Sequence, residues 1–179
     1  MTRPFEGIQP RVANGVFIDE TAVVIGDVEI GADSSVWPMS VIRGDVNTIR
    51  IGERTNIQDG SILHVSHDGP YKPGGSPLVI GNDVTVGHKV VLHACTVEDC
   101  CLIGMGSVVL DDAIIESGSL LGAGSLVNPG KRIESGYLWL GQPARRVRAL
   151  SEKEKAYLNY SAEHYVRLQR RYQVSPPAS

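Results

Sequence analysis

Aromatic residues are scarce: two Phe and two Trp stand beside 20 Gly and a surplus of Val and Ile. So few large rings argue against a helical bundle and favour stacked strands joined by tight turns. Three cysteines, Cys95, Cys100 and Cys101, are too few for a disulfide framework. Cys100 and Cys101 are adjacent, so along a strand they point to opposite faces. Reduced, partly buried thiols are expected, which suits a reducing compartment. Basic residues are not in excess either. A net charge of -3 leaves no electrostatic footprint for nucleic acid. No apolar stretch approaches the roughly 20 residues that span a bilayer, and no apolar run follows a basic segment at the N-terminus, as a secretory signal requires. The expectation is a cytoplasmic protein with neither a membrane nor a nucleic-acid partner. Its 179 residues suit one domain with room for an appendage.

A period of six is what the sequence does have. Ile, Val or Leu falls at Ile18, Val24, Ile30, Val36 and Ile42, then at Ile51, Ile57 and Leu63, at Ile80, Val86 and Leu92, and at Val97, Ile103, Val109, Ile115, Leu121 and Val127. Four residues after each anchor up to Leu121 sits a small or β-branched residue, such as Ala22, Ser40, Thr55, Ser61, Val90 or Ser107, with His67 after Leu63 as the misfit. This is the pattern of a parallel β-helix of hexapeptides. Each hexapeptide gives a short strand and a turn, three make a coil, and coils stack about 4.8 Å apart. The register slips between Ile42 and Ile51, between Leu63 and Ile80, and between Leu92 and Val97. Insertions in a solenoid become surface loops, often on the binding face.

Outside the repeat, Pro4, Gly7, Pro10 and Gly15 make residues 1–16 an extended arm. The β-helix is expected over 17–130, ending at Asn128-Pro129-Gly130, with an irregular exit over 131–150. Ser151-Glu152-Lys153-Glu154 reads as a capping box. Tyr157, Ser161, His164, Tyr165, Leu168 and Tyr172 follow at helical spacing, so 151–173 is expected as one amphipathic C-terminal α-helix. The tail from Val174 to Ser179, with two prolines, is expected to fray.

Counting anchors in threes assigns each strand to a face. Ile42, Leu63 and Leu92 stack in one column, so Arg43, His64 and His93 stack just after them. Two histidines one rung apart have the spacing to share an ion. His88 follows Val86 by two and stacks with Asp59 near another edge of the prism. One chain cannot easily bring it to His64 and His93, whereas a neighbouring copy can. Cyclic packing of three copies then builds three sites. Three imidazoles with no competing thiolate suit Zn2+, with Fe2+ or Co2+ as rivals. Three protein ligands with an open position are the pattern of a catalytic zinc, which lowers the pKa of water to about 7.

Arg43-Gly44-Asp45, Asn56-Ile57-Gln58-Asp59-Gly60, Leu63-His64 and Gly87-His88-Lys89-Val90-Val91-Leu92-His93 together resemble the gamma-class carbonic anhydrases, over nearly the whole chain. That resemblance implies a homotrimer of left-handed β-helices with an ion at each subunit interface. His64 and His93 would ligate from one chain and His88 from the next. Arg43 and Asp59 look like the family's pair between subunits, with Asp45 beside them. Gln58 looks like the residue that orients a metal-bound hydroxide, with Asn56 supporting it. The implied reaction is reversible hydration of CO2 to bicarbonate, in which metal-bound hydroxide attacks carbon. The chain departs from the family in its loop from Asp68 to Pro77, which lacks the proton-shuttling Glu. His67 stands where another family glutamate would, and Tyr160 is a candidate to reach the site from the helix. Two other readings share the fold: a hexapeptide-repeat acyltransferase, favoured by the repeat and by Gly141-Gln142-Pro143-Ala144, and a non-catalytic trimeric metal-binding scaffold.

Overall fold

The computed structural model describes residues 1–174; residues 175–179 of the tail lie outside them. The chain forms a left-handed parallel β-helix closed on one side by a long helix. Its three columns of inward-facing aliphatic side chains are those that the period of six assigns. One runs Val24, Ile42, Leu63, Leu92, Val109, Val127. The second runs Ile30, Ile51, Ile80, Val97, Ile115, Ile133. The third runs Ile18, Val36, Ile57, Val86, Ile103, Leu121, Trp139. All but Ile18 are buried, and they form one continuous core.

The small residues four places after the anchors are more than space-savers. Ser34 Oγ donates to Gly52 O (2.7 Å), Ser40 Oγ to Gln58 O (2.9 Å), Thr55 Oγ1 to Gly81 O (2.8 Å) and Ser61 Oγ to Gly87 O (3.1 Å). Each buried hydroxyl thus satisfies a carbonyl of the next coil at a corner where strand pairing lapses.

The three extra residues between Ile42 and Ile51 have a structural cause. Val23–Ile30 and Val41–Ile51 are long strands that run round a corner and join two faces into one sheet. The bend sits at Gly26 and Gly44. Gly26 has φ +77°, and a Cβ there would meet Gly44 O at 2.3 Å, so the crossing needs glycine. Arg43 and Asp45 flank this bend.

Two expectations are corrected. Residues 131–150 are not an irregular exit: Arg132–Ile133 and Tyr137–Gly141 add further rungs, with Ile133 and Trp139 continuing the columns at the same interval of six. Pro129 lies in an exposed turn, where its missing N–H interrupts no ladder. Ala144–Ala149 then folds back antiparallel on Tyr137–Gly141 as the last strand of its sheet. At the other end, the arm pairs through Thr2–Arg3 and Arg11–Val12 with Val23–Ile30.

The helix α1 spans Glu152–Val174. Its capping box is formed: Glu154 N donates to Ser151 Oγ (3.3 Å) and Ser151 N to Glu154 Oε2 (2.9 Å). Its buried face is Leu158, Ser161, Ala162 and Gln169. The second correction is partial: Ser161 is buried and Tyr165 and Leu168 are half-buried on the expected face, but Tyr157, His164 and Tyr172 are exposed. The pitch holds, but small residues are what lets the helix approach the coil closely. Gln169 Nε2 donates to Gly15 O (3.1 Å) and Asp33 O (2.9 Å), and Tyr165 and Tyr172 pack on Trp37.

Candidate metal centre

His64 and His93 are direct partners across adjacent parallel strands. Their rings turn toward each other, with His64 Nδ1 3.2 Å from His93 Nε2. The remaining ring nitrogen of each meets a carboxylate. His64 Nε2 lies 3.1 Å from Asp45 Oδ1, and His93 Nδ1 lies 2.6 Å from Asp111 Oδ1. Carboxylates can only accept, so those nitrogens carry the protons. With both rings neutral, two lone pairs then face each other across 3.2 Å, and a cation lying against both would relieve their repulsion. Tetrahedral metal–imidazole bonds of about 2.0–2.1 Å place two ligand nitrogens about 3.3 Å apart. The donor set therefore fits a divalent ion.

Asp45 is held in turn by Arg43 at 2.5 Å. Burial raises the Asp45 carboxyl, but bonds from Arg43 and His64 bring it below its ordinary value. Burial is also the largest influence on His64, lowering it against the bond to Asp45, and the Arg43 charge adds to the lowering. Both shifts favour a neutral imidazole beside an ionised carboxylate, the pairing that metal-bound histidines use.

His88 lies on the neighbouring column, where its Nδ1 is 2.8 Å from Asp59 Oδ2. It too has one ring nitrogen on a carboxylate, and its side chain is 45% exposed. Among the described residues no three of His, Cys, Asp or Glu converge to hold an ion within one chain. Arg43 and Asp59 do not meet within the chain, since each has another partner.

Next to His88, the coil and α1 enclose a cleft of about 420 Å³ lined by Gln58, Thr85, Tyr157, Ser161 and Tyr165 among others. Gln58 Nε2 donates to Asn56 Oδ1 (3.0 Å), Asn56 Nδ2 to Thr85 Oγ1 (3.1 Å), and Thr85 Oγ1 to Ser161 Oγ (2.9 Å). This buried relay fixes the Gln58 amide from the coil to α1 and leaves Oε1 as its acceptor. His67 lies in the insertion loop, lining a smaller cavity of about 220 Å³ with Ser66, Tyr71, Lys72 and Asp111. Tyr160 is not brought to the site within one chain. It lies on the outer side of α1, 54% exposed, stacked on His164 and under Arg167.

Asp111 was not singled out by the sequence. The signal was present, because it follows Val109 by two and Val109 stacks on Leu92. It lies one rung from His93, as Asp59 does from His88, but its offset from the anchor is one residue greater than that of His93.

A family model described as bacterial transferase hexapeptide (six repeats) matches residues 10–44. The chain is 55% identical to Protein YrdA of Escherichia coli, over 95% of this chain and 92% of that protein. It is 48% identical to a carbonic anhydrase of Geobacillus kaustophilus, over 93% of this chain and 87% of that one. Among solved structures, a putative acetyltransferase of Bacillus cereus superposes with a TM-score of 0.89 at 40% identity, covering 96% and 95% of the two chains.

Proposed function

The chain belongs to the gamma carbonic anhydrase family of hexapeptide-repeat proteins, and on that premise we propose that it is a metal-dependent lyase interconverting CO2 and bicarbonate at a site shared between copies in a homotrimer. The observation that carries this reading is the pair of imidazole nitrogens facing each other at 3.2 Å, each ring backed by a carboxylate. His64 and His93 of one copy would hold the ion, and His88 of the next, braced by Asp59, would complete the set. Zn2+ suits three neutral imidazoles, with Fe2+ or Co2+ as rivals.

A bound ion supplies a Lewis acid that brings the pKa of water to about 7. The chain's own residues do the rest. Asp45 and Asp111 hold the ring protons away from the ion, and Arg43 keeps Asp45 ionised. Gln58 offers Oε1 to a proton at the reacting oxygen, held in aim by Asn56. His67, an imidazole in the loop that has no Glu, is the candidate proton carrier.

The test is metal analysis and sedimentation of protein purified without chelators or oxygen, followed by stopped-flow CO2 hydration. The expected result is a trimer with about one ion per chain and hydration lost in His93→Ala. A fully metallated trimer inactive toward CO2 at every pH would overturn the enzyme reading and leave a metal-binding scaffold. Acetyl transfer from acetyl-CoA that survives metal removal would favour acyl transfer instead, the activity in the name of the Bacillus cereus structure.

A further inference from the structure

The insertion between Leu63 and Ile80 is a built structure. Ser66 and Ser76 pair as an antiparallel bridge, and so do Gly69 and Lys72. Asp68 Oδ1 accepts from Gly74 N (2.7 Å), and Asn47 Nδ2 donates to Ser66 O (3.2 Å) and Gly74 O (3.3 Å). The loop reaches past the rung of His93 and grips the turn that holds Asp111 and Asp112. Lys72 Nζ lies 2.5 Å from Asp112 Oδ2 and 3.5 Å from Asp111 Oδ2. Ser76 Oγ donates to Asp112 Oδ1 (2.7 Å), and Ser66 Oγ donates to Asp111 Oδ2.

Asp111 therefore has one oxygen on His93 and the other on the loop. We propose that Asp111 is a positioning residue for His93 and that the loop clamps it, so that contacts made by Lys72 and Ser66 set how tightly the site holds a divalent cation. The inference rests on the metal-centre reading above, and it assigns the loop a task that needs no proton-carrying side chain. A carboxylate held on one oxygen alone can rotate. Held on both, it fixes the plane of the His93 ring and keeps its proton on Nδ1, leaving Nε2 bare toward His64. If the clamp opens, Oδ2 loses its donors and the ring is free to exchange its two nitrogens.

The test uses the full chain as wild type, Asp111→Ala, Asp111→Asn and Lys72→Met. It has three readouts: Zn2+ affinity by competition with a chelating dye, the His93 tautomer by 15N spectra of the metal-free protein, and hydrogen exchange over residues 66–76. Asp111→Ala is expected to weaken Zn2+ binding about 10- to 100-fold, the usual cost of losing such a partner, and to abolish the Nδ1-protonated His93 signal. Asp111→Asn keeps an acceptor and should recover part of both. Lys72→Met should speed exchange in the loop and weaken Zn2+ binding about two- to fivefold. Wild-type affinity together with an unchanged tautomer in Asp111→Ala would overturn the positioning role. Fast exchange with unchanged affinity in Lys72→Met would overturn the clamp. A wild type that takes up no Zn2+ would refute the metal reading instead, and the metal-free tautomer would still decide whether Asp111 positions His93.

Discussion

Replacing Thr85 by valine tests whether the buried relay from Gln58 to α1 matters. The two side chains have nearly the same shape, so the change removes a hydroxyl and little else. Thr85 is 4% exposed. Its Oγ1 donates to Ser161 Oγ and accepts from Asn56 Nδ2. Two hydrogen bonds at about 1 kcal/mol each are lost. Asn56 Nδ2 retains only a 3.4 Å contact with Val84 O, which adds part of the cost of an unsatisfied donor. The valine methyl returns about 0.8 kcal/mol of apolar burial. The balance is a destabilisation of about 2 kcal/mol, which for a chain of this size lowers the melting temperature by about 5 °C. Thr85→Ser keeps the hydroxyl and should lose less. Calorimetry at one fixed protein concentration reads the shift, because association makes melting temperatures concentration-dependent. The relay predicts a second effect: Gln58 loses its aim, so CO2 hydration falls while bound metal stays constant. A Thr85→Val protein that melts with the wild type would refute the energetic argument. One that melts lower with undiminished turnover would refute the link from relay to chemistry.

Gly26→Ala should destabilise the tube by about 3 kcal/mol or more, since it combines a positive φ with a clash against Gly44 O; denaturant titration checks it, and a loss below 1 kcal/mol would be incompatible with the crossing described. Ser151→Ala removes the helix cap and should cost about 1 kcal/mol, seen as faster hydrogen exchange over the first turn of α1. Bonds from Arg148 and from Ser151 hold the Glu154 carboxyl well below the usual carboxylate range. A lowered folded pKa means that this contribution is present above the ordinary value and lost as pH falls, so fraying of that turn should grow below about pH 4, and Glu154→Gln should abolish this pH dependence. Burial pushes the Cys101 thiol up to about 12 and Cys95 higher still. Thiol reagents at pH 8 should therefore leave both unlabelled in the native protein, with Cys100 the first to react; mass spectrometry counts the labels, and rapid native labelling of Cys95 would contradict its burial.

The columns were legible because each anchor performs the same physical task every six residues. His64, His93 and Asp59–His88 could be placed by counting, since their partners sit one rung away at equal offsets. Three things escaped. Ile133 and Trp139 keep the period, but Asn128-Pro129-Gly130 looks like an ending when read as sequence, and only the exposed turn tells that a proline there interrupts nothing. Asp111 escaped because its offset differs by one from that of the histidine it holds. Part of the buried face of α1 escaped: Ser161 lay on the expected stripe, but Leu158, Ala162 and Gln169 beside it are buried while Tyr157 and Tyr172 are exposed. Periodicity encodes which face a residue occupies; it does not encode how closely a helix can approach that face.

The reversed strand Ala144–Ala149 has a consequence for growth. A parallel β-helix is a polymer whose last rung is a template for the next, as in a fibre. Here the final rung of one face is met by a strand running the other way and bearing Arg145, Arg146 and Arg148. Like charges and opposed polarity make it a poor seed for another chain, and the paired N-terminal arm shields part of the opposite end. On that face the tube is thereby a chain-terminated oligomer of its own repeat, closed to a further parallel rung.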